Sequence, residues 1–173
     1  MTSAIEDYSI QELVNILHMA NISTLELSGE RFSNLPITGA RLTTGIANAI
    51  NESTVNFKID YQLFLNGAEV DKEIKVVGSL RTSVVVTYTV VNPPKPGWEE
   101  GVPQIASMAT LAGHPYLRQT LAFMAGNLNF PNVTLGLVRY GSTLPESVTV
   151  GDRVYTFNPE EAQQEDEVIT TQP

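Results

Sequence analysis

The chain has no cysteine, one tryptophan and two histidines, and it carries 10 basic side chains against 19 acidic ones. Each shortage removes a class of function. Without cysteine there is no disulfide framework and no thiolate metal site. The histidines, His18 and His114, stand far apart, and no His/Asp/Glu grouping around either has metal-ligand spacing. A serine nucleophile would have to recruit one of these two, and the G-x-S-x-G elbow is missing. The phosphate-cradling G-x-x-x-x-G-K-[ST] loop and the dinucleotide fingerprint G-x-G-x-x-G are missing as well. No apolar run reaches bilayer length, and the opening MTSAIEDYS is too polar for an export signal, so the expected address is cytoplasmic. A net charge of -9 repels phosphate backbones, which argues against nucleic acid as a partner. Basic proteins, or extended chains met through apolar contact, fit better.

What is present is a series of periodic segments. Ser9 and Glu12 have the spacing of a capping box, and Ile10, Leu13, Val14 and Leu17 recur at helical intervals. A helix is therefore predicted over residues 9–20, with His18 as a structural side chain beside the stripe. ISTLELSG, residues 22–29, reads as a strand. The loop-like ERFSNLPITG that follows carries Phe32, Leu35, Pro36 and Ile37, a concentration of apolar groups unusual for a loop. ARLTTGIANAI then alternates as a second strand. The strongest signal is STVNFKIDYQLFLNG, where Val55, Phe57, Ile59, Tyr61, Leu63 and Leu65 alternate with mostly polar neighbours, the pattern of a strand with one buried and one wet face. Asn66-Gly67 and the polar AEVDKE predict a hairpin loop longer than two residues. The return strand through Val90 is long enough to need a bulge near Gly78, with Val84, Val86, Tyr88 and Val90 on one face.

Four strands with short connections predict an antiparallel meander. NPPKPGWEEGVP stops the sheet, with Trp98 folded over a core edge. A helix is expected from Pro103, broken at Gly113 and Pro115 and resuming with Leu117, Leu121 and Met124 inward. Val133, Leu135 and Leu137 mark an extended segment, residues 140–159 read as extended, and residues 159–173 read as an acidic disordered tail. The predicted fold class is α+β, a four-stranded antiparallel sheet packed with a long proline-interrupted helix.

PYLRQTL (residues 115–121) and FPNVTLGLV (residues 130–138) have a Pro-Tyr-x-Arg helix segment and a Phe-Pro pair followed by alternating apolar residues. Placed after four strands, these resemble the SecB family of export chaperones over residues 21–138. The resemblance implies a helical extension at 1–20, a chaperone domain at 21–158 and a tail at 159–173. It implies a homotetramer, a dimer of dimers, that holds non-native polypeptides in apolar grooves without ATP, cofactor, metal or catalysis. In the family the crossover loop and the first two strands line the groove, which points to Leu25, Leu27, Phe32, Leu35, Ile37, Leu42 and Ile46. Tyr116 and Arg118 match the helix motif and are assigned to folding or assembly. The partners implied are unfolded or extended clients, met during protein export or as a dedicated client such as an antitoxin. The export motor ATPase is poorly supported: Glu26 matches its acidic contact face, but Asn21 stands where an acid is expected. Gly141, Pro145 and Gly151 also interrupt the region where the main bacterial group has a second helix. The alternative reading is a structural or assembly protein of a phage or secretion apparatus, whose apolar loop is a permanent interface. A carboxylate hydrolase is the weakest reading, since no spacing supports it.

Overall fold

The computed structural model describes residues 9–70, 73–91 and 96–157. Helix α1 (Ile10–Ile16) begins at the predicted capping box: the Glu12 amide donates to the Ser9 hydroxyl, and the Ser9 amide donates to the Glu12 carboxylate at 2.9 Å. The helix ends earlier than its apolar spacing suggested. From Leu17 the chain is already strand, because Leu17 pairs with Val90 and the Val91 amide donates to the Ile16 carbonyl at 2.9 Å. Cross-strand pairing overrides the local helix propensity of LHMA, three of whose four residues are good helix formers.

Four long strands form one antiparallel sheet: β1 (Leu17–Arg31), β2 (Ile37–Ile50), β3 (Thr54–Val70) and β4 (Glu73–Val90). Their spatial order is β1-β4-β3-β2 rather than a meander. β2, β3 and β4 are joined as successive hairpins, and β1 crosses over to lie beside β4 on the far edge, a Greek-key arrangement. The β3–β4 ladder runs out to Val70↔Glu73, so the long polar hairpin loop expected there is instead continued strand. The bulge expected near Gly78 is present: Leu65 pairs with Gly78 and Asn66 with Val76, leaving Val77 as the extra residue.

The alternation on β3 places Val55, Phe57, Ile59, Tyr61, Leu63 and Leu65 on the buried face, every one of them fully covered. Val84, Val86 and Tyr88 of β4 share that face. Across it lies α2 (Ala106–Asn127), preceded by a 3-10 helix (Trp98–Ile105) that carries the buried Trp98. The helix is not broken at Gly113 and Pro115. Pro115 is exposed, so its ring lies on the outer side of the helix rather than in the core. Gly113 lets the helix close on the sheet: a Cβ there would meet the Val84 side chain at 3.0 Å and Ile59 at 3.2 Å. After Phe130 three short strands, β5 (Val133–Leu135), β6 (Ser147–Val150) and β7 (Arg153–Thr156), make a second small antiparallel sheet. The predicted extended character of residues 140–157 is thus a hairpin, and the acidic tail lies outside the described residues.

His114 ties the two sheets together. One ring nitrogen lies 2.8 Å from the Gly136 carbonyl, to which it donates, and the other lies 3.4 Å from the Tyr61 hydroxyl. Burial lowers the His114 pKa, the hydrogen bond to Gly136 opposes that, and nearby Arg118 lowers it further. The Tyr61 phenol is pushed upward by burial.

Candidate functional site

Residues 32–36 connect β1 to β2, and because those strands are the two edges of the sheet, this short strap must cross the ends of β4 and β3. It does so by bonding to the bulge. The amides of Phe32 and Ser33 both donate to the Val77 carbonyl, at 2.8 and 3.2 Å. Farther along, Leu35 lies against Gly67, where a Cβ would come within 3.5 Å of it. Arg31 holds the entry of the strap, stacking over the Phe130 ring with 4.9 Å to the centroid and donating to the carbonyls of Leu128 and Asn129. The Phe130 ring in turn occupies the space left by Gly78, where a Cβ would sit 2.2 Å from it.

The strap cannot bury its own apolar groups against this narrow end of the sheet. Phe32 is 54% exposed and Leu35 38%. Beside them Ile74 and Val76, at the start of β4, are exposed as well. Ile37 is half-buried, and the Tyr155 hydroxyl of β7 approaches its carbonyl to 3.5 Å. The result is one apolar end to the sheet, contributed by the strap and by β4.

The seven residues selected from sequence do not form a single lining. Phe32, Leu35 and Ile37 come together at the strap. Leu25 and Leu27 are exposed on β1, with Leu25 the extra residue of a bulge between Thr24 and Glu26. Leu27 lies opposite Thr82, whose hydroxyl meets that of Thr120 on α2 at 2.9 Å. Leu42 and Ile46 are on β2, three strands away across the sheet. Leu42 is 6% exposed and packs in the core opposite Leu63, so it offers nothing to a ligand. Ile46 is half-buried opposite Ile59. Sequence reading treated the first two strands as neighbours, and the Greek-key crossover separates them.

Two other surfaces lie outside those seven residues. Helix α2 is largely uncharged along its 22 residues, Arg118 being its one full charge, and it leaves Tyr116 and Phe123 exposed, the latter at 64%. The opposite face of the sheet is wet and charged: Arg81 lies 3.6 Å from Glu26 and 3.9 Å from Asp60, and Lys58 lies 3.3 Å from Asp60. Glu26 is therefore engaged by Arg81 within the chain. Among the described residues no three His, Cys, Asp or Glu side chains gather where they could hold a metal ion, and no helix is long and apolar enough to cross a membrane.

No protein-family model and no curated protein matches this sequence. The architecture does match. A Mycobacterium tuberculosis SecB-like chaperone, Rv1957, solved in complex with a ChAD peptide from the Rv1956 HigA1 antitoxin, superposes with a TM-score of 0.64. The chain has the SecB-like fold. Identity with that protein is 17%, and the match covers 73% of this chain and 94% of Rv1957. At such identity the SecB-like sheet and helix are shared, while side chains at any one position have largely been exchanged. The four-stranded antiparallel sheet and long helix expected from the sequence agree with this fold, while the predicted meander order does not.

Proposed function

We propose that this SecB-like protein is an ATP-independent chaperone that holds extended, non-native polypeptides through exposed apolar side chains. The observation that carries the reading is the strap between β1 and β2, where Phe32 and Leu35 stand uncovered beside Ile74 and Val76. An unfolded client exposes many apolar segments of no fixed sequence, so its binder needs open greasy surface more than a shaped pocket. A binder of the unfolded state withdraws it from aggregation by mass action, with no need for nucleotide. The solved SecB-like relative carries a peptide from an antitoxin, which makes a dedicated client of that type as natural a reading here as general export. Docking to the export motor finds little support, since Glu26 is already paired with Arg81 and Asn21 adds no acid.

Leu25, Leu27, Phe32, Leu35 and Ile37 remain in the proposed client surface, Ile46 is left out of it because it lies half-buried on β2 opposite Ile59, and Leu42 is assigned to the core. Assembly as a dimer of dimers in the cytoplasm is part of the same proposal. The nearly charge-free α2, with Tyr116 and Phe123 uncovered, is the kind of surface that subunit contact would bury. That helix also suits the rival reading of a purely structural subunit. Light scattering of an aggregating unfolded client decides between them. A holding chaperone suppresses the signal in a dose-dependent way without ATP, whereas a structural subunit leaves it unchanged.

A further inference from the structure

One side chain closes both the C-terminal turn of α2 and the entry of the strap. The helix ends in a Schellman turn. Asn129 takes the left-handed conformation at φ 54°, its amide donates to the Gly126 carbonyl at 3.1 Å, and the Phe130 amide donates to the Ala125 carbonyl at 2.9 Å. The motif uses carbonyls one turn back and leaves those of Leu128 and Asn129 to be satisfied from elsewhere. Arg31 does this: its Nη1 donates to both, reaching Leu128 at 3.1 Å. The helix dipole also favours a cation at this end.

The Nε of the same guanidinium donates to the Ser33 carbonyl at 3.2 Å. Ser33 is the anchor of the strap. Its amide donates to the Val77 carbonyl at 3.2 Å, and its hydroxyl accepts from the Leu35 amide at 3.1 Å. With its carbonyl held by Arg31, every polar group of Ser33 is engaged, and the uncovered Phe32 and Leu35 lie on either side of it. The circuit closes through Phe130, which stacks under the guanidinium and fills the gap at Gly78, the cross-strand partner of Arg31. The end of α2, β1, β4 and the strap therefore meet at one residue.

We propose that Arg31 is the positioning residue of the client surface, fixing the strap to the end of α2 so that Phe32 and Leu35 stand together as a client meets them. Once the tie is lost, the strap samples other arrangements, and apparent client affinity falls by the fraction of time the competent one is kept. The shape of the group matters as well as its charge. Two bonds in different directions and a stacked face need a planar guanidinium, which an ammonium does not reproduce. The tie stands on the geometry alone, and only its consequence for clients rests on the proposed holding role.

Hydrogen exchange and client titration on the full chain, with Arg31→Lys and Arg31→Gln, test the proposal. In both variants the Phe32 and Ser33 amides are expected to exchange about tenfold faster or more, with the β3–β4 ladder unchanged. An unfolded model client is expected to bind the folded variants about tenfold more weakly. A merely structural role would instead speed exchange throughout the sheet and leave the affinity of the folded fraction as it was. That outcome, or wild-type strap exchange in either variant, overturns the inference. So does wild-type client affinity in a variant whose strap has loosened. Phe32→Asp, titrated beside them, separates the two failures. If it weakens client binding and Arg31→Lys does not, the holding role stands and the positioning role is lost. If none of the three weakens it, the strap is not the client surface and both are lost.

Discussion

Phe32→Asp and Leu42→Asp make the same chemical change at two residues of one sequence-derived set, and the structure predicts opposite outcomes. A phenylalanine can bury about 200 Å², and roughly half of that is covered at Phe32, so replacing it forfeits about 1–2 kcal/mol of folding free energy once partial burial in the unfolded chain is allowed for. A domain with a stability of ~5–15 kcal/mol tolerates this loss. The uncovered half is what a client can use, again about 100 Å², which corresponds to a loss of client affinity of about ten- to hundredfold. Leu42 is 6% exposed and faces Leu63. A carboxylate placed there loses its hydration and gains no partner, a cost of ~4 kcal/mol or more. Chemical denaturation should therefore show a modest midpoint shift for Phe32→Asp and a collapse for Leu42→Asp. Light scattering of an unfolded client should show impaired holding by the folded Phe32→Asp protein. If Phe32→Asp unfolds the chain, or holds clients as wild type does, the strap is not the client surface.

Further expectations concern the scaffold. His114 has a lowered pKa in the fold, whereas in the unfolded chain it titrates near its ordinary value of about 6.5. The unfolded state then binds the proton more readily, so stability should fall as pH drops through that value, and His114→Gln should flatten this slope in thermal melts at pH 5 and 7.5. Gly78→Val drives a side chain into the Phe130 ring and the Glu30 carbonyl, for an expected cost of ~3 kcal/mol by urea denaturation. Thr82→Val removes a buried hydroxyl that meets Thr120 at 2.9 Å and donates to the Glu26 carbonyl at 3.3 Å, and should cost about 1 kcal/mol in the same assay. Arg81→Ala breaks two partly exposed ion pairs with Glu26 and Asp60 and should cost ~1 kcal/mol or less, with salt narrowing the difference.

The legible parts of the fold were those governed by local pattern. Period-two alternation on β3, the bulge at Gly78, the capping box at Ser9 and the burial of Trp98 each follow from neighbouring residues. The strand order did not follow, because nothing in a strand states which of two open edges it will join. That one ambiguity scattered the site: Leu27 and Ile46 were both assigned to one groove and instead occupy opposite edges of the sheet. Pro115 misled for a related reason, since a proline is tolerated where tertiary packing keeps its ring on the outer side of a helix. Val76 was within reach of sequence reasoning. The predicted bulge shifts the phase of β4 by one residue, and carrying that shift through would have moved Val76 from the buried face to the exposed one.

The crossover also sets a clock. Leu17 finds its partner Val90 only after about 70 further residues have been made, which at ~5–20 residues per second amounts to several seconds of synthesis. Throughout that interval Met19, Leu25 and Leu27 leave the ribosome with no sheet to join, while β2, β3 and β4 zip together as consecutive hairpins behind them. Under the proposed holding role, the first strand of each new copy is itself an exposed segment of the kind copies already complete would capture.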